Sequence, residues 1–216
     1  MPGPSRNYTK ELERLIQKLQ QEGKVPRLLL HACCAPCSSA VLEYLSQYFA
    51  ITLLYYNPNI APLEEYQKRE AELRRLVSQM KFTHPVELLP CQYDGQAFVQ
   101  AARGLEGEPE GGKRCEACFR LRLRYAAQEA ARLRFDYYTT TLSISPMKNA
   151  PLLNQLGEEI GREFGVAHLP SDFKKKDGYK RSVQLSKEYD LYRQDYCGCA
   201  FSKAQRQREK EEREEV

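Results

Sequence analysis

Cysteine is the residue type that dominates the chemistry available to this sequence, and seven of its eight cysteines fall in three short groups. The groups are Cys33, Cys34 and Cys37, then Cys115 and Cys118, then Cys197 and Cys199. In a reducing compartment, C-x-x-C and C-x-C spacings indicate metal or redox chemistry rather than structural disulfides. Burial of all eight as small apolar groups is disfavoured, because packing alone does not select paired spacings. Cys91 is isolated, and we expect it to be structural.

The first and second groups could bind a metal together. Four thiolates can close a structural zinc site or hold an iron–sulfur cluster. Zinc sites usually use two C-x-x-C pairs, because each pair lets two sulfurs reach one ion. Adjacent Cys33 and Cys34 point in different directions from an extended turn, so they reach two irons of one cube more easily than a single ion. With Cys115 and Cys118 completing the set, the spacing favours a [4Fe-4S] cluster over zinc.

Two of these cysteines are predicted at the starts of helices. Cys115 opens a predicted helix, where the helix dipole and free N–H groups favour a thiolate. The neighbouring Lys113 and Arg114 act in the same direction. Cys37 should lie in the first turn of the helix that follows the first group. It could exchange with Cys33 as a ligand, bind a further metal, or remain a spare thiol near the cluster.

The third group, Cys197 and Cys199, has a single glycine between its two thiols. A C-x-C pair can form a strained small-ring disulfide that is easily reduced. The alternative is that both cysteines ligate the same metal as the other groups. Because four ligands already exist elsewhere, we favour a redox pair.

The segments around the first group predict a strand followed by a helix. The apolar run VPRLLL predicts a buried strand over Val25–Leu30, and SSAVLEYLSQYF has helical apolar spacing. The cysteines therefore lie at the carboxyl end of a strand, the edge where ligands bind in open α/β sheets. Further strands are predicted over Ala50–Tyr56, Val86–Leu89, Phe135–Leu142 and Val166–Leu169. Further helices are predicted over Tyr8–Gln21, Leu63–Met80, a short stretch ending at Ala102, about Cys115–Leu133, and Leu152–Phe164.

Alternation of strands and helices predicts an α/β fold with a mostly parallel, doubly wound sheet and cysteine loops at its carboxyl edge. The length of 216 residues and the apolar fraction of 42% suit one α/β metalloenzyme domain, which we place at residues 1–202. Residues 203–216 hold five basic and five acidic residues and nothing to bury. They predict a charged, exposed tail, either a frayed helix or disorder.

Composition and charge predict a cytoplasmic protein that binds a polyanion. No apolar run approaches the length of a membrane span, and MPGPSRNYTK lacks the apolar stretch of a signal peptide. The net charge is only +4, but Lys113–Arg134 holds seven basic residues against two acidic, and Lys174–Arg193 seven against three. Each block adjoins a cysteine pair, which favours a polyanionic substrate. HACCAPCSS contains no glycine, so we expect no phosphate-binding loop there.

Several tyrosines and one histidine lie close in sequence to the predicted site loops. Tyr55, Tyr56, Tyr192 and Tyr196 could stack on nucleic-acid bases, although most of the fourteen tyrosines must belong to the core or its rim. His31 ends the first strand, where a satisfied core histidine and a catalytic acid are equally expected.

Taken together, these motifs resemble those of the QueH family of epoxyqueuosine reductases. The matching segments, in order, are HACCAPCSS, YYNPNIAPLEEYQKR, CEACFRLRL, TTTLSISPMKN, PSDFKKKDGYKRS and LYRQDYCGCAFS. They cover nearly the whole chain from Leu28 to Ser202, and the combination of CCAPC, C-x-x-C and YCGC is specific. The tail after Ser202 falls outside the resemblance.

The resemblance implies a tRNA-modifying oxidoreductase that removes the epoxide oxygen of epoxyqueuosine at the wobble position of the anticodon, giving queuosine without cobalamin. The fold would be similar to the adenine-nucleotide α-hydrolase (HUP-like) group, with the usual ATP loop replaced by cysteines. The resemblance implies that Cys33, Cys34, Cys115 and Cys118 bind a [4Fe-4S] cluster. It also implies that Cys197 and Cys199 form a redox-active pair.

The resemblance also allows an additional iron beside the cluster, which we would expect near Cys37 or Asp172. In this hypothesis Asp172 or Tyr196 acts as the acid that supplies a proton to the departing oxygen. The expected partners are a tRNA with a queuosine-family anticodon and an external electron donor, with no membrane. Two alternatives stay open: an ATP-dependent tRNA thiolation enzyme on a related fold, and a non-catalytic RNA-binding protein with structural zinc.

Overall fold

Five strands form one parallel sheet within residues 6–214, the part of the chain that the computed structural model describes. They are β1 (Arg27–His31), β2 (Ala50–Leu54), β3 (Val86–Leu89), β4 (Tyr137–Thr140) and β5 (Ala167–His168). The strands lie in the order β3-β2-β1-β4-β5, and every neighbouring pair is parallel. The predicted mostly parallel α/β sheet is confirmed. Residues 1–5 of the predicted domain and residues 215–216 of the predicted tail lie outside the described part.

The strands are connected by helices, because parallel neighbours need a crossover of roughly a dozen residues or more. The helices are α1 (Tyr8–Gln21), α2 (Ala35–Leu45), α3 (Leu63–Gln79), α4 (Gly95–Ala102), α5 (Lys113–Arg132), α6 (Ala150–Phe164), α7 (Gly178–Glu188) and α8 (Ala200–Glu214). Side chains that accept a backbone N–H begin three of them: Asn7 at α1, Asp94 at α4 and Asn149 at α6. Such caps satisfy N–H groups that the first helical turn leaves free.

Alternate residues of the central strand build two separate cores. Leu28 and Leu30 of β1 are fully buried on one face of the sheet, together with apolar residues of α1, α2 and α3. Leu29 between them is fully buried on the opposite face, together with apolar residues of α5 and α6. Full burial of one such leucine contributes roughly 2 kcal/mol to stability. Helices on both faces make the sheet doubly wound, as predicted.

The strand order reverses at β1, whose neighbours are β2 on one side and β4 on the other. The helix after β1 packs on one face of the sheet, and the helix after β4 packs on the other. Connections that diverge in this way leave a crevice between the carboxyl ends of the two strands, where open α/β sheets bind ligands. The segment HACCAPCSS runs directly from the end of β1 into this crevice.

Three strands are shorter than the apolar pattern predicts, and one of them is β5, which is Ala167–His168 where Val166–Leu169 was predicted. The strand predicted to reach Tyr56 ends at Leu54, where its pairing with β1 stops. The strand predicted over Phe135–Leu142 ends at Thr140, because the Thr140 hydroxyl accepts the Leu142 N–H at 3.1 Å and begins a 3-10 turn. The changes at β2 and β4 both lengthen the loops at the carboxyl edge of the sheet.

Helix α8 covers most of the predicted tail. Its first turn is anchored, since Ser202 is buried and the Gln205 side-chain oxygen accepts the backbone N–H of Glu110 at 3.3 Å. Beyond this turn the side chains are mostly exposed, and Lys210 forms an ion pair with Asp195 at 2.6 Å. Across residues 6–214, every helix is too short or too polar to cross a membrane.

Candidate metal centre

Three thiols converge in the turn between β1 and α2. Cys34 precedes α2 with an extended backbone (φ −171°, ψ 166°), and Pro36 lies in the first turn of the helix. The Sγ atoms of Cys33, Cys34 and Cys37 all lie within 4.8 Å of one another, and none of the three is in a disulfide. The turn therefore places three sulfur ligands close enough to share one metal ion. Cys37 lies in the first turn of α2, as predicted.

The end of β4 fixes this turn from the other side of the crevice. The backbone N–H of Cys33 donates to the Thr141 hydroxyl oxygen at 3.1 Å, and that hydroxyl donates to the Cys33 Sγ at 3.3 Å. Thr141 lies in the 3-10 turn Thr141–Ile144. Sequence reasoning missed Thr141, because it placed this residue inside a strand.

Close contact among the three thiols shifts their pKa values in different directions. Hydrogen bonds from Cys33 and Cys37 lower the pKa of Cys34 well below the ordinary range. Contacts with Cys33 and then with Cys34 raise the pKa of Cys37 well above its ordinary value, and the Cys34 thiol raises the pKa of Cys33 to about 11. Of the three thiols, Cys34 therefore gives up its proton most readily. A bound cation takes the place of the protons and removes the mutual repulsion.

The second cysteine pair lies at the start of α5, as predicted. The backbone N–H of Gly111 donates to the Cys115 Sγ at 3.2 Å. Cys118 lies one turn further along and is buried. Its burial raises the pKa of the Cys118 thiol to about 12, and the Arg122 guanidinium opposes that rise.

Hydrogen bonds hold the third pair on both sides. The Cys197 N–H donates to the Ser202 hydroxyl at 3.0 Å, and the Cys197 carbonyl accepts from the Arg69 guanidinium at 3.1 Å. The Cys199 Sγ accepts the Ser202 N–H at 3.3 Å. Between the two thiols, Gly198 has a φ of +124°, a backbone conformation that favours glycine.

Two adjoining cavities connect the three cysteine groups. The larger, of about 530 Å³, is the site cleft, and its walls include Cys33, Cys34, Cys37, Arg122, Lys148, Tyr196 and Cys197. The smaller, of about 20 Å³, has walls that include Cys115, Cys118, Cys197 and Cys199. Cys197 therefore belongs to both cavities. Within residues 6–214, the thiols of the β1–α2 turn are the only group of three or more potential ligand atoms that lie within 4.8 Å of one another, so the predicted fourfold ligand set stays a prediction.

Charged side chains that sequence reasoning missed line the site cleft. The Lys148 ammonium donates to one carboxylate oxygen of Glu110 at 2.9 Å, and the Ser202 hydroxyl donates to the other at 3.0 Å. Lys148 lies in the segment TTTLSISPMKN, and the sequence analysis assigned no role to this lysine. Arg122 lies four residues after Cys118, one helical turn away, and this spacing was the available signal.

The two candidate acids lie in different places. Tyr196 lines the site cleft, with the Arg69 guanidinium 5.0 Å from its ring centroid. Asp172 lines a separate cavity between α1 and α2, and it forms an ion pair with Lys174 at 2.6 Å. The structure therefore brings Tyr196, and not Asp172, to the thiols of the site cleft.

The other aromatic candidates belong largely to the core. Tyr55 is buried, and Tyr56 is buried and stacks on Tyr125 with ring centroids 3.8 Å apart. Tyr192 is half-buried, and the Lys68 ammonium lies over its ring at 3.6 Å. His31 is fully buried, and its Nδ1 lies 2.8 Å from the Thr140 hydroxyl, the arrangement of a satisfied core residue. Cys91 lies away from the site beside Tyr125, at 3.8 Å from its hydroxyl.

Comparisons with known proteins agree with these motifs. A family model described as "Epoxyqueuosine reductase QueH" matches residues 28–205. A protein of that name from Streptococcus pyogenes serotype M1 is 42% identical over 203 residues, 93% of this chain and 80% of that protein. Another from Staphylococcus epidermidis is 42% identical over 200 residues, 91% of this chain and 84% of that protein. One from Thermotoga maritima is 35% identical over 185 residues, 83% of this chain and 91% of that protein.

Among solved structures, an NAD+ synthetase from Burkholderia pseudomallei aligns over 87% of this chain and 90% of its own, with a TM-score of 0.22 and 12% identity. A similarity of that size carries no argument about function. The family model, in contrast, spans most of the chain and contains all three cysteine groups. The relatives at 35–42% identity extend over most of their own lengths as well. This chain belongs to the QueH family of epoxyqueuosine reductases.

Proposed function

We propose that this chain is an oxidoreductase that reduces epoxyqueuosine to queuosine at the wobble position of tRNA. The reaction consumes two electrons and two protons, and the epoxide oxygen leaves as water. The observation that carries the proposal is that Cys197 lines the same cleft as the thiols of the β1–α2 turn, in a chain that matches the QueH family model. A redox-capable thiol beside a metal-capable thiol group is what such a reduction requires.

The chemistry of the donor set fits an iron–sulfur centre. The free thiols around the two cavities are soft ligands, and Cys34 and Cys118 among them are buried from solvent. We propose a [4Fe-4S] cluster on Cys33, Cys34, Cys115 and Cys118, with Cys37 available to an additional iron. When bound, such a cluster supplies Lewis acidity and electron transfer.

The chain's own residues would handle the electrons and protons. Oxidation of Cys197 and Cys199 to a disulfide releases two electrons and two protons, which equals what the epoxide consumes. An external donor then reduces the disulfide and restores both thiols. We propose Tyr196 as the proton donor to the departing oxygen, since it lines the site cleft and Asp172 lines another cavity.

The site cleft is also suited to an RNA loop. Its walls carry basic side chains beyond the buried ones, including Arg193 and Arg206. A volume of about 530 Å³ accommodates a splayed nucleoside, and recognition of single-stranded RNA uses bases displaced in this way. We propose that the anticodon loop enters here in the cytoplasm, with binding that weakens as salt is raised.

The test combines metal analysis with turnover. Anaerobically purified protein should contain inorganic sulfide and at least as much iron, with visible absorbance that dithionite bleaches. With reductant, it should convert epoxyqueuosine in tRNA to queuosine, detected by mass spectrometry of the digested nucleosides. Cys118→Ala should lose both the absorbance and at least a hundredfold of the turnover, because the centre loses a ligand.

The redox pair and its control give a different pattern. Cys197→Ala and Cys199→Ala should keep the absorbance and lose multiple turnover, because no disulfide can form. Cys91→Ala is the matched control, since Cys91 lies outside both cavities, and it should keep both properties. Zinc without sulfide, or full turnover in Cys118→Ala, would contradict the proposal and favour the zinc-containing RNA-binding alternative.

A further inference from the structure

Four cationic side chains are buried among the described residues. They are Arg69, Arg114, Arg122 and Lys148. Buried charges in proteins are almost always paired with an opposite charge, because an unpaired charge loses its hydration without compensation. Each buried cation should therefore have an identifiable partner.

Two of the four have a carboxylate partner, and a third is held by backbone carbonyl oxygens and an aromatic ring. Arg69 forms an ion pair with Glu65 at 2.7 Å, and Lys148 forms one with Glu110 at 2.9 Å. Arg114 donates to a row of backbone carbonyl oxygens in the preceding loop, including that of Glu106 at 2.8 Å. Arg69 and Arg114 each keep one buried nitrogen without a hydrogen-bond partner, Nη2 and Nε respectively, but oxygen atoms that carry negative charge or partial charge lie against both guanidinium groups.

Arg122 is the exception. It is 2% exposed, and it pairs with no carboxylate anywhere in residues 6–214. Its Nη2 donates to the Asn57 side-chain oxygen, and its Nε lies 3.3 Å from the His31 Nε2, but neither neighbour is an anion. Its Nη1 is buried with no hydrogen-bond partner in the described part of the chain. The fold thus holds a charged group with a free donor and no counterion.

Thiol groups lie around the Arg122 guanidinium. Arg122 lines the site cleft together with Cys33, Cys34 and Cys37, and it adjoins the Cys118 thiol one turn earlier on α5. Asn57 is itself fixed, since its amide donates to the Ala32 carbonyl at 2.9 Å. The guanidinium is therefore held beside thiols of the first and second cysteine groups.

We propose that Arg122 is the built-in counter-cation of the thiolate metal centre, an inference that deepens the function proposed above and rests on its metal centre. Thiols that give up their protons to a metal become a site of net negative charge, and the fixed guanidinium stabilises that charge. Arg122 should therefore strengthen metal binding. It should also raise the affinity of a bound iron–sulfur centre for electrons, because reduction adds negative charge.

Cobalt(II) alone is the first probe, because its thiolate complexes absorb in the near ultraviolet and need no sulfide. Titrations use the full-length chain purified without metal. Arg122→Met should bind cobalt at least tenfold more weakly than the parent, and Arg122→Gln should do the same. Arg122→Lys, which keeps the charge, should stay within about threefold of the parent. The matched control is Arg124→Met on the same helix, because Arg124 is an exposed cation paired with Glu163, and it should bind like the parent.

Each contrary outcome is decisive. Parent-like cobalt affinity in both folded neutral variants would overturn the inference. If Arg122→Lys loses as much cobalt affinity as Arg122→Met, the geometry of the guanidinium matters and its charge does not. That result would also overturn the inference. If circular dichroism shows that neither neutral variant folds without metal while Arg122→Lys does, the charge serves the fold and the inference is wrong.

The iron-loaded protein gives an independent readout. The midpoint potential of Arg122→Met should be at least 59 mV more negative than that of the parent, which equals a tenfold loss of one-electron affinity. An unchanged potential would contradict the inference. If the proposed function is wrong, the purified parent protein will lack iron and sulfide. The cobalt titrations will still test the role of Arg122, because they need neither.

Discussion

At the scale of single residues, Gly198 makes the geometry of the C-x-C pair achievable. Its φ of +124° lies in a region that side chains rarely adopt. A Cβ at this position would lie 2.9 Å from the Ile60 Cγ1 and 3.0 Å from the Arg69 Nη1. The Gly198 carbonyl also accepts the Ala61 N–H at 3.1 Å, so the loop has little freedom to move aside. The backbone between Cys197 and Cys199 thus has a conformation and a surrounding that fit only glycine at position 198.

Gly198→Ala should therefore be costly. We expect it to lower the free energy of unfolding by about 2–3 kcal/mol, through backbone strain and the contacts of the added methyl group. Urea unfolding of the two proteins measures the difference. Gly23→Ala is the control, because Gly23 has a φ of +62° with open space around it, and we expect a loss of only about 1 kcal/mol. Equal losses at the two positions would contradict the crowding at Gly198.

At the scale of elements, Asn154 ties α6 to the segment that follows β5. Its side-chain nitrogen donates to the Ser171 carbonyl at 2.7 Å, and its side-chain oxygen accepts the Ser171 N–H at 2.8 Å. The same nitrogen donates to the Ala150 carbonyl at 2.8 Å. Asn154 is fully buried, so no water can replace these bonds. One amide therefore holds a loop at the carboxyl edge of the sheet against the helix.

Asn154→Ala should destabilise the protein by about 2–3 kcal/mol, because it leaves the buried N–H and carbonyl of Ser171 without partners. The metal and sulfide content of the folded variant should stay that of the parent, since Asn154 lines neither site cavity. Asn149→Ala on the same helix is the matched control. Asn149 is exposed and accepts only the Leu152 N–H, so its loss should cost about 1 kcal/mol. Similar losses in both variants would contradict a special role for Asn154.

At the scale of the whole molecule, local pattern was enough to predict the sheet. The α1 and β3 bounds agree with the predicted Tyr8–Gln21 and Val86–Leu89, because periodicity and turn residues are local signals. The thiol turn was found for the same reason, since a strand followed by HACCAPCSS places cysteines at the carboxyl edge. The ends of β2 and β4 were not predicted, because pairing with β1 and the Thr140 hydroxyl decide them.

Contacts between distant parts of the chain account for what the sequence did not reveal about the site. The Arg122–Asn57 hydrogen bond joins residues 65 positions apart, and the Thr141–Cys33 bond joins residues 108 apart. No periodicity encodes such pairs, and only the folded sheet brings them together. Asp172 was expected at the site from the resemblance, either beside an additional iron or as the acid. The structure places it instead beside Lys174, facing α1 and α2.

A histidine that lines neither site cavity contributes to the pH dependence of the fold's stability. Both ring nitrogens of His168 are buried without hydrogen-bond partners among residues 6–214, and the ring packs edge-on against Tyr138 with centroids 5.3 Å apart. Burial, and then the nearby Arg6, lower the pKa of His168 to about 3, against an ordinary value of about 6.5. At a pH between these two pKa values, His168 is protonated in the unfolded chain and unprotonated in the folded chain. Stability should therefore fall as the pH falls through this window, and His168 should have no effect above it.

His168→Phe tests this dependence, because phenylalanine keeps a ring of similar size and cannot take up a proton. Between about pH 7.5 and pH 4.5, the parent should lose about 2–3 kcal/mol more stability than the variant, measured by urea unfolding at each pH. His31, whose pKa burial also lowers to about 3, remains in both proteins, so its contribution cancels in the comparison. Stability curves that run parallel across this range would contradict a buried, uncharged His168.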